Sequence, residues 1–303
     1  MDKENFKAYL AWATICIVWG TTYLAIRVGV QNMPPMLFAG FRWLASASFF
    51  IPILLIKGYK FPKVKDWLSL SIVGILLLGI ANGMVVVAEQ WIPSGLAALI
   101  ITTMPFWVVL IEAVLPQGIR PNIFIVSGLL LGFGGVALIF HNDFSKIIEP
   151  SYFLGYAALF LAVTSWAGGS VYSKYKKVDT HPLMGAAFQM MVAGLAQITV
   201  GAMIGEFSSF GFNNSESVFA FLYLMIFGSI FGYASYIYAI SHLPVSFVTT
   251  YAYVNPVIAI FLGWLILDED MNWIIVIAAV IILAGVFLVK KGSIIQRKIP
   301  LNP

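Results

Sequence analysis

The sequence predicts an all-α integral membrane protein of ten transmembrane helices, built as two inverted five-helix repeats. Three observations predict it. Of the 303 residues, 61% are hydrophobic and only 10% are charged, against about 25% charged residues in an ordinary soluble domain. The apolar residues come in runs of roughly 18 to 24, each long enough to cross the ~30 Å hydrocarbon core of a bilayer. The second half of the chain also answers the first at a nearly constant offset. A β-barrel is excluded by run length, because barrel strands are about ten residues of alternating polarity.

Taken in order, the runs place spans at about 8–30, 35–56, 66–88, 94–115, 122–140, 153–174, 183–205, 217–240, 245–267 and 272–289. Turn-forming residues separate them: Pro34-Pro35, Lys57-Gly58, Pro93-Ser94, Pro116-Gln117-Gly118, His181-Pro182, Pro244 and Asp268-Glu269-Asp270. The first run is too long for a signal-peptide core and no small-x-small cleavage site follows, so it reads as a retained span. Cys16 is the only cysteine, which excludes a disulfide framework or a thiolate metal cluster. A net charge of +4 says less than where the charges lie. With the N-terminus inside, Lys3, Lys7, Lys57, Lys60, Lys63, Lys65, Arg120, Lys174, Lys176, Lys177, Lys290, Lys291, Arg297 and Lys298 fall on one side, and only Arg27 and Lys146 on the other. The positive-inside rule then puts both termini in the cytoplasm.

An offset of 147 sets Trp19 on Trp166, Arg27 on Lys174, Pro35 on Pro182 and Arg42 on Gln189; 151 sets Pro93 on Pro244 and Pro105 on Pro256; 150 sets Asn122 on Asn272. The two units run 8–140 and 153–290. Five helices per unit is an odd number, so the second unit enters from the opposite side. Inverted repeats suit secondary transporters, because two similar halves in opposite orientation form outward-open and inward-open states of comparable energy.

The Trp-Gly of helix one, the Pro35-x(6)-Arg42 pattern, Ala97-Ala98-Leu99-Ile100-x-x-Thr103-Met104-Pro105, Asn255-Pro256 and Gly263-Trp264-Leu265-Ile266-Leu267-Asp268-Glu269 together resemble the EamA family of drug/metabolite transporters across essentially the whole chain. The resemblance implies ten helices in two EamA units, and export of amino acids, related metabolites or toxic compounds across a bacterial inner membrane. Pro116-Gln117-Gly118 and Asn255 stand where acidic residues are common in that family, so no acidic coupling group carries over to either place.

Arg42 lies about seven residues inside span two, roughly 10 Å along a helix from Pro35. A central cation costs about 2.5 to 3.5 kcal/mol on insertion scales, so either a substrate carboxylate or phosphate meets it, or it snorkels outward or pairs with Glu89. Pro105 and Pro256 each free a carbonyl, which in lipid needs protein, hydroxyls or water, and Thr103 and Asn255 lie beside them. Asn82 and Tyr233 occupy matching depths in helices three and eight, as do Arg42 and Gln189 in helices two and seven. Trp19 and Trp166 correspond, and their indole N–H groups need acceptors. Tyr23 shares the face of Trp19. Substrate-binding candidates are therefore Trp19, Tyr23, Arg42, Asn82, Thr103, Trp166, Gln189, Tyr233 and Asn255. Glu89 and Glu112 are candidates for a coupling proton, or else solvated helix ends. Arg27 reads as a helix-end anchor, and Trp43, Trp67, Trp91 and Trp273 as interfacial belts.

His141, His181 and His242 lack ligand spacing, so no metal or cofactor is expected. Without a P-loop, HExxH or GxSxG, neither ATP-driven pumping nor familiar hydrolysis has support, and no catalytic residue or nucleic-acid partner is expected. Gly128-x-x-x-Gly132 and Gly201-x-x-x-Gly205 favour close helix contacts within a monomer or weak homodimer. The remaining alternatives are a membrane enzyme acting on lipid-linked substrates, and a channel or scramblase.

Overall fold

The computed structural model describes residues 3–92, 94–116, 118–139, 150–212, 214–258 and 273–297. Over these the chain is helical and no strand occurs. Helix α1 spans Lys3–Val30, α2 Pro35–Ile56, α3 Val64–Ala88, α4 the two pieces Ser94–Ile101 and Met104–Val114, and α5 Ile123–Ile139. The second half repeats the plan with α6 Phe153–Tyr175, α7 Pro182–Met203, α8 Ser215–His242, the start of α9 as Val245–Val248 and 251–258, and α10 Trp273–Arg297. Eight of the described helices are long and apolar enough to cross a membrane, and α5 is a shorter apolar helix. His141, Lys146 and the Asp268-Glu269-Asp270 turn lie outside the described residues.

Helix starts follow local chemistry. Extended Pro34 leads into Pro35 at the first turn of α2, where a missing N–H costs nothing. The His181 ring accepts the Leu183 N–H ahead of α7, and the Asn214 side chain accepts the Ser217 N–H ahead of α8, each satisfying one of the orphan donors of a helix N-terminus. Helices α1 and α10 run past their apolar stretches into Lys- and Arg-containing ends. A hydropathy boundary therefore misses the helix boundary there.

The inverted relation appears in backbone detail. Helices α3 and α8 each contain a π-helical stretch, Ile75–Asn82 and Leu224–Tyr233, ending on the matched pair Asn82 and Tyr233. Such stretches are rare and concentrate at functional sites. Arg27 at the end of α1 donates to the carbonyls of Glu89 and Ile92. Lys174 at the end of α6 donates to those of Ile240 and Leu243, the acceptor positions related by the same offset of 151 that aligns the halves in sequence. Each cation thus caps the carbonyl end of the third helix in its own repeat. Arg27 is a helix-end group, as its position suggested, but its anchor is the α3–α4 turn rather than lipid headgroups.

Among the described residues the most extensive interfaces join two pairs of repeat mates, α5 with α10 and α2 with α7. Glycine makes both approaches possible. A Cβ on Gly194 would stand 2.7 Å from the Leu44 nitrogen and 2.9 Å from the Gly40 carbonyl oxygen, and one on Gly285 2.6 Å from the Gly132 nitrogen. Gly128 and Gly132 therefore form a packing stripe. Gly205 does not: it adopts φ +78° just beyond α7, while Gly201 packs on Leu37. Helix α10 exposes Trp273, Ile277, Val280, Leu283 and Phe287, an apolar outer face suited to lipid.

Candidate substrate site

Between the halves lies a cavity of about 660 Å³ including its mouth, walled by residues of α1, α2, α3, α4, α6, α8 and α9. From α1 come Trp19, Thr22, Tyr23 and Ile26, spaced i, i+3, i+4 and i+7 along one helix face. Lining residues fall late in α1 and α3, early in α2 and in the first half of α8, while those of α6 straddle its middle and Tyr251 lies near the start of α9. Since consecutive spans alternate in direction, the cavity is displaced from the middle towards the side opposite the N-terminus.

Arg42 is the charged group in this wall. It is 2% exposed, and its Nη2 donates to Asn82 Oδ1 at 2.6 Å. The Trp43 indole N–H reaches the same oxygen at 3.2 Å, and its ring lies 4.3 Å from the guanidinium carbon, a favourable cation–π arrangement. Tyr233 supports Trp43 edge-on at 5.8 Å and donates its hydroxyl proton to Gln189 Oε1 at 2.6 Å. The guanidinium is thus fixed by Asn82 on one edge and by Trp43 on one face. Its Nε is buried with no hydrogen-bond partner among the described residues, a deficit worth about 1–3 kcal/mol. Arg42 also has no ion pair among the described residues.

An aromatic cluster floors the cavity on the N-terminal side. Trp19 sits 5.4 Å from Trp166, 5.4 Å from Tyr236 and 4.9 Å from Tyr251. Its N–H donates to the Gly228 carbonyl at 3.0 Å, and the Trp166 N–H donates to the Tyr236 hydroxyl at 2.9 Å. Both indoles therefore have the acceptors that burial demands.

The structure gathers Trp19, Tyr23, Arg42, Asn82 and Trp166 at one cavity. Gln189 and Tyr233 are not in its wall; they bond each other, and Gln189 lines a smaller pocket with Ser69, Val73 and Tyr172. Thr103 sits at the break in α4 and donates to the Ile100 carbonyl at 2.8 Å. Asn255 is buried and, with its amide nitrogen turned inward, bridges the carbonyls of Tyr251 and Cys16 at 2.9 and 3.1 Å. Sequence reasoning missed Trp43, Thr22 and Tyr251. Thr22 was readable from the helical spacing around Trp19. Trp43 was not, because neighbours in a helix point to different faces; it is 3% exposed instead of belonging to an interfacial belt, whereas Trp67, Trp91 and Trp273 are exposed.

Glu89 and Glu112 are buried, at 0% and 1% exposure, not solvated helix ends. Neither Glu89 carboxylate oxygen has a hydrogen-bond partner among the described residues, and Arg27 and Tyr23 of α1 are its electrostatic neighbours. Glu112 Oε1 accepts from the Tyr175 hydroxyl at 2.8 Å.

The EamA-like transporter family model matches residues 6–141 and 153–290. The chain is 32% identical over 292 residues to the uncharacterized inner membrane transporter YedA of Escherichia coli K12, covering 96% of this chain and 93% of that one. It is 23% identical to a protein of the same organism named a probable amino-acid metabolite efflux pump, over 90% and 91% of the two chains. A crystal structure at 21% identity superposes with a TM-score of 0.76 over 96% of this chain and 99% of that one, which shows the shared fold. With two matched units and a relative aligned along nearly its whole length, the chain belongs to the EamA-like family of membrane transporters.

Proposed function

We propose that the protein is a secondary-active carrier of the bacterial inner membrane that exports small metabolites, such as amino acids, or toxic compounds, with both termini cytoplasmic. The observation that carries this reading is a cavity between inverted halves, offset towards one side and floored by aromatic rings on the other. The name of the efflux-pump relative supports the direction. The units 8–140 and 153–290 rock about the cavity; in the orientation given by the lysine distribution, this structure has its cavity on the periplasmic side and its aromatic floor facing the cytoplasm.

Contacts between the halves lie near both ends. Asn32 bonds Ser217 at 3.3 Å on the side away from the N-terminus, and Lys65 pairs with Asp179 on the other. Cysteines at either pair, in a Cys16→Ala background carrying Thr22→Cys in the cavity wall, test alternation without knowledge of the substrate. Locking Lys65/Asp179 with a short bifunctional thiol reagent should leave Thr22→Cys open to impermeant label only from the far side. Locking Asn32/Ser217 should reverse the side. Labelling from one and the same side in both cases sinks the carrier reading.

A coupling proton at Glu89 fits a buried carboxyl whose oxygens have no hydrogen-bond partner among the described residues, since protonation removes the charge that burial penalises; Glu112 is the corresponding candidate near the other end. Accessibility of Thr22→Cys from the two sides should then shift with pH, and Glu89→Gln should remove most of that shift. A pH response unchanged in Glu89→Gln excludes Glu89 and leaves Glu112 to be tried.

A further inference from the structure

We infer that the cavity selects a small organic monoanion, a carboxylate on an aromatic or otherwise apolar body that carries no ammonium group; the inference rests on the carrier reading and narrows its cargo to metabolites other than amino acids. Among the described residues the cavity wall contains one formal charge, that of Arg42, and no aspartate or glutamate. An arginine cannot discharge itself by losing its proton. Asn82 and Trp43 stabilise the guanidinium without neutralising it. A ligand carboxylate supplies both the missing countercharge and an acceptor for the buried, unpartnered Nε–H.

The charge balance also selects against other classes. A phosphate monoester brings about two negative charges at neutral pH to a wall with one cation. A zwitterionic amino acid would carry its ammonium beside the carboxylate, hence close to Arg42. The nearest amide oxygen is filled, since Asn82 Oδ1 takes both the Arg42 and the Trp43 donors, and the Gly228 carbonyl already accepts the Trp19 indole. An ammonium would therefore be desolvated near a like charge, with only neutral acceptors, the hydroxyls of Thr22, Tyr23 and Tyr251 and the ring faces, to receive it. Such an unpaired polar group is a strong means of discrimination. An organic cation lacks even the attraction to Arg42. For the rest of the ligand, Trp19, Trp166, Tyr251 and Tyr23 provide flat apolar walls, which favour a ring or a compact hydrocarbon.

The test uses the purified full-length protein at neutral pH with three probes of nearly equal shape: phenylacetate, phenylalanine and phenethylamine. Binding is read from quenching of intrinsic tryptophan fluorescence and from the ligand-induced rise in Tm. Phenylacetate should bind saturably, and phenylalanine and phenethylamine at least about tenfold more weakly, a gap of 1.4 kcal/mol. In Arg42→Gln, which removes the charge while keeping a shorter polar side chain, phenylacetate should fall to the level of the other two while the ligand-free Tm stays within the folded range. If phenylalanine or phenethylamine binds as well as phenylacetate, or if none of the three binds at millimolar concentration, the monoanion assignment is overturned. Either failure leaves the side-specific labelling of Thr22→Cys intact, so it is separable from failure of the carrier reading.

Discussion

Arg42→Ala should abolish transport and weaken binding of an anionic ligand by at least about thirtyfold, since truncating one partner of a buried, hydrogen-bonded charge pair costs about 2–5 kcal/mol. The substitution removes the cation of the cavity wall and strands Asn82, whose Oδ1 keeps only the Trp43 donor at 3.2 Å. Arg42→Lys should recover part of the binding, because it keeps the charge but loses the planar edge that meets a carboxylate with two parallel bonds. Flux into proteoliposomes at matched protein level, together with ligand titration of Tm, reads the effect. Full transport by Arg42→Ala would show that the cation serves packing alone, with the ring of Trp43 as its partner.

Gly194→Leu should cost about 3 kcal/mol or more, at or beyond the upper end of ordinary overpacking, and sharply reduce the yield of monodisperse protein. The new side chain would start from a Cβ 2.7 Å from the Leu44 nitrogen and 2.9 Å from the Gly40 oxygen. Both obstacles are backbone and cannot rotate away, so α2 must move off α7. That interface carries Arg42 on one helix and Gln189, the acceptor for Tyr233, on the other, so binding should fall with stability. Gly134→Leu is the control: nothing lies within 4 Å of a Cβ there, and thermal stability should hardly change. Equal behaviour of the two variants would mean that α2 and α7 do not need their close approach.

The legible part of this fold is the part that periodicity and composition control. A run of apolar residues must be helical in lipid, because only intrahelical bonds satisfy its backbone groups there, and prolines and charged ends mark where runs stop. Repeat matches at Trp19/Trp166 and Arg27/Lys174 needed no coordinates either. The π-helical stretches in α3 and α8 were not legible, since a single extra residue per turn leaves no mark in composition. The candidate site was legible where one helix face carries several of its members, as Trp19 and Tyr23 do.

Groups from different helices needed the tertiary structure. Arg42 announced itself by the cost of a charge within a span, but its partners could not be read from order along the chain: Asn82 is forty residues away, and Trp43 is the adjacent residue that helical geometry would send elsewhere. Tyr233 and Gln189 sit at matching depth with Asn82 and Arg42, yet their side chains satisfy one another and are not in the cavity wall. The sequence by itself determined the spans, the inverted duplication and the presence of a costly cation, because each follows from the one-dimensional placement of apolar and charged residues against a bilayer of fixed thickness. Only the tertiary structure decided which side chains share the cavity and that Arg42 meets no carboxylate there among the described residues, because side-chain direction and helix rotation depend on packing between helices, which no single segment encodes.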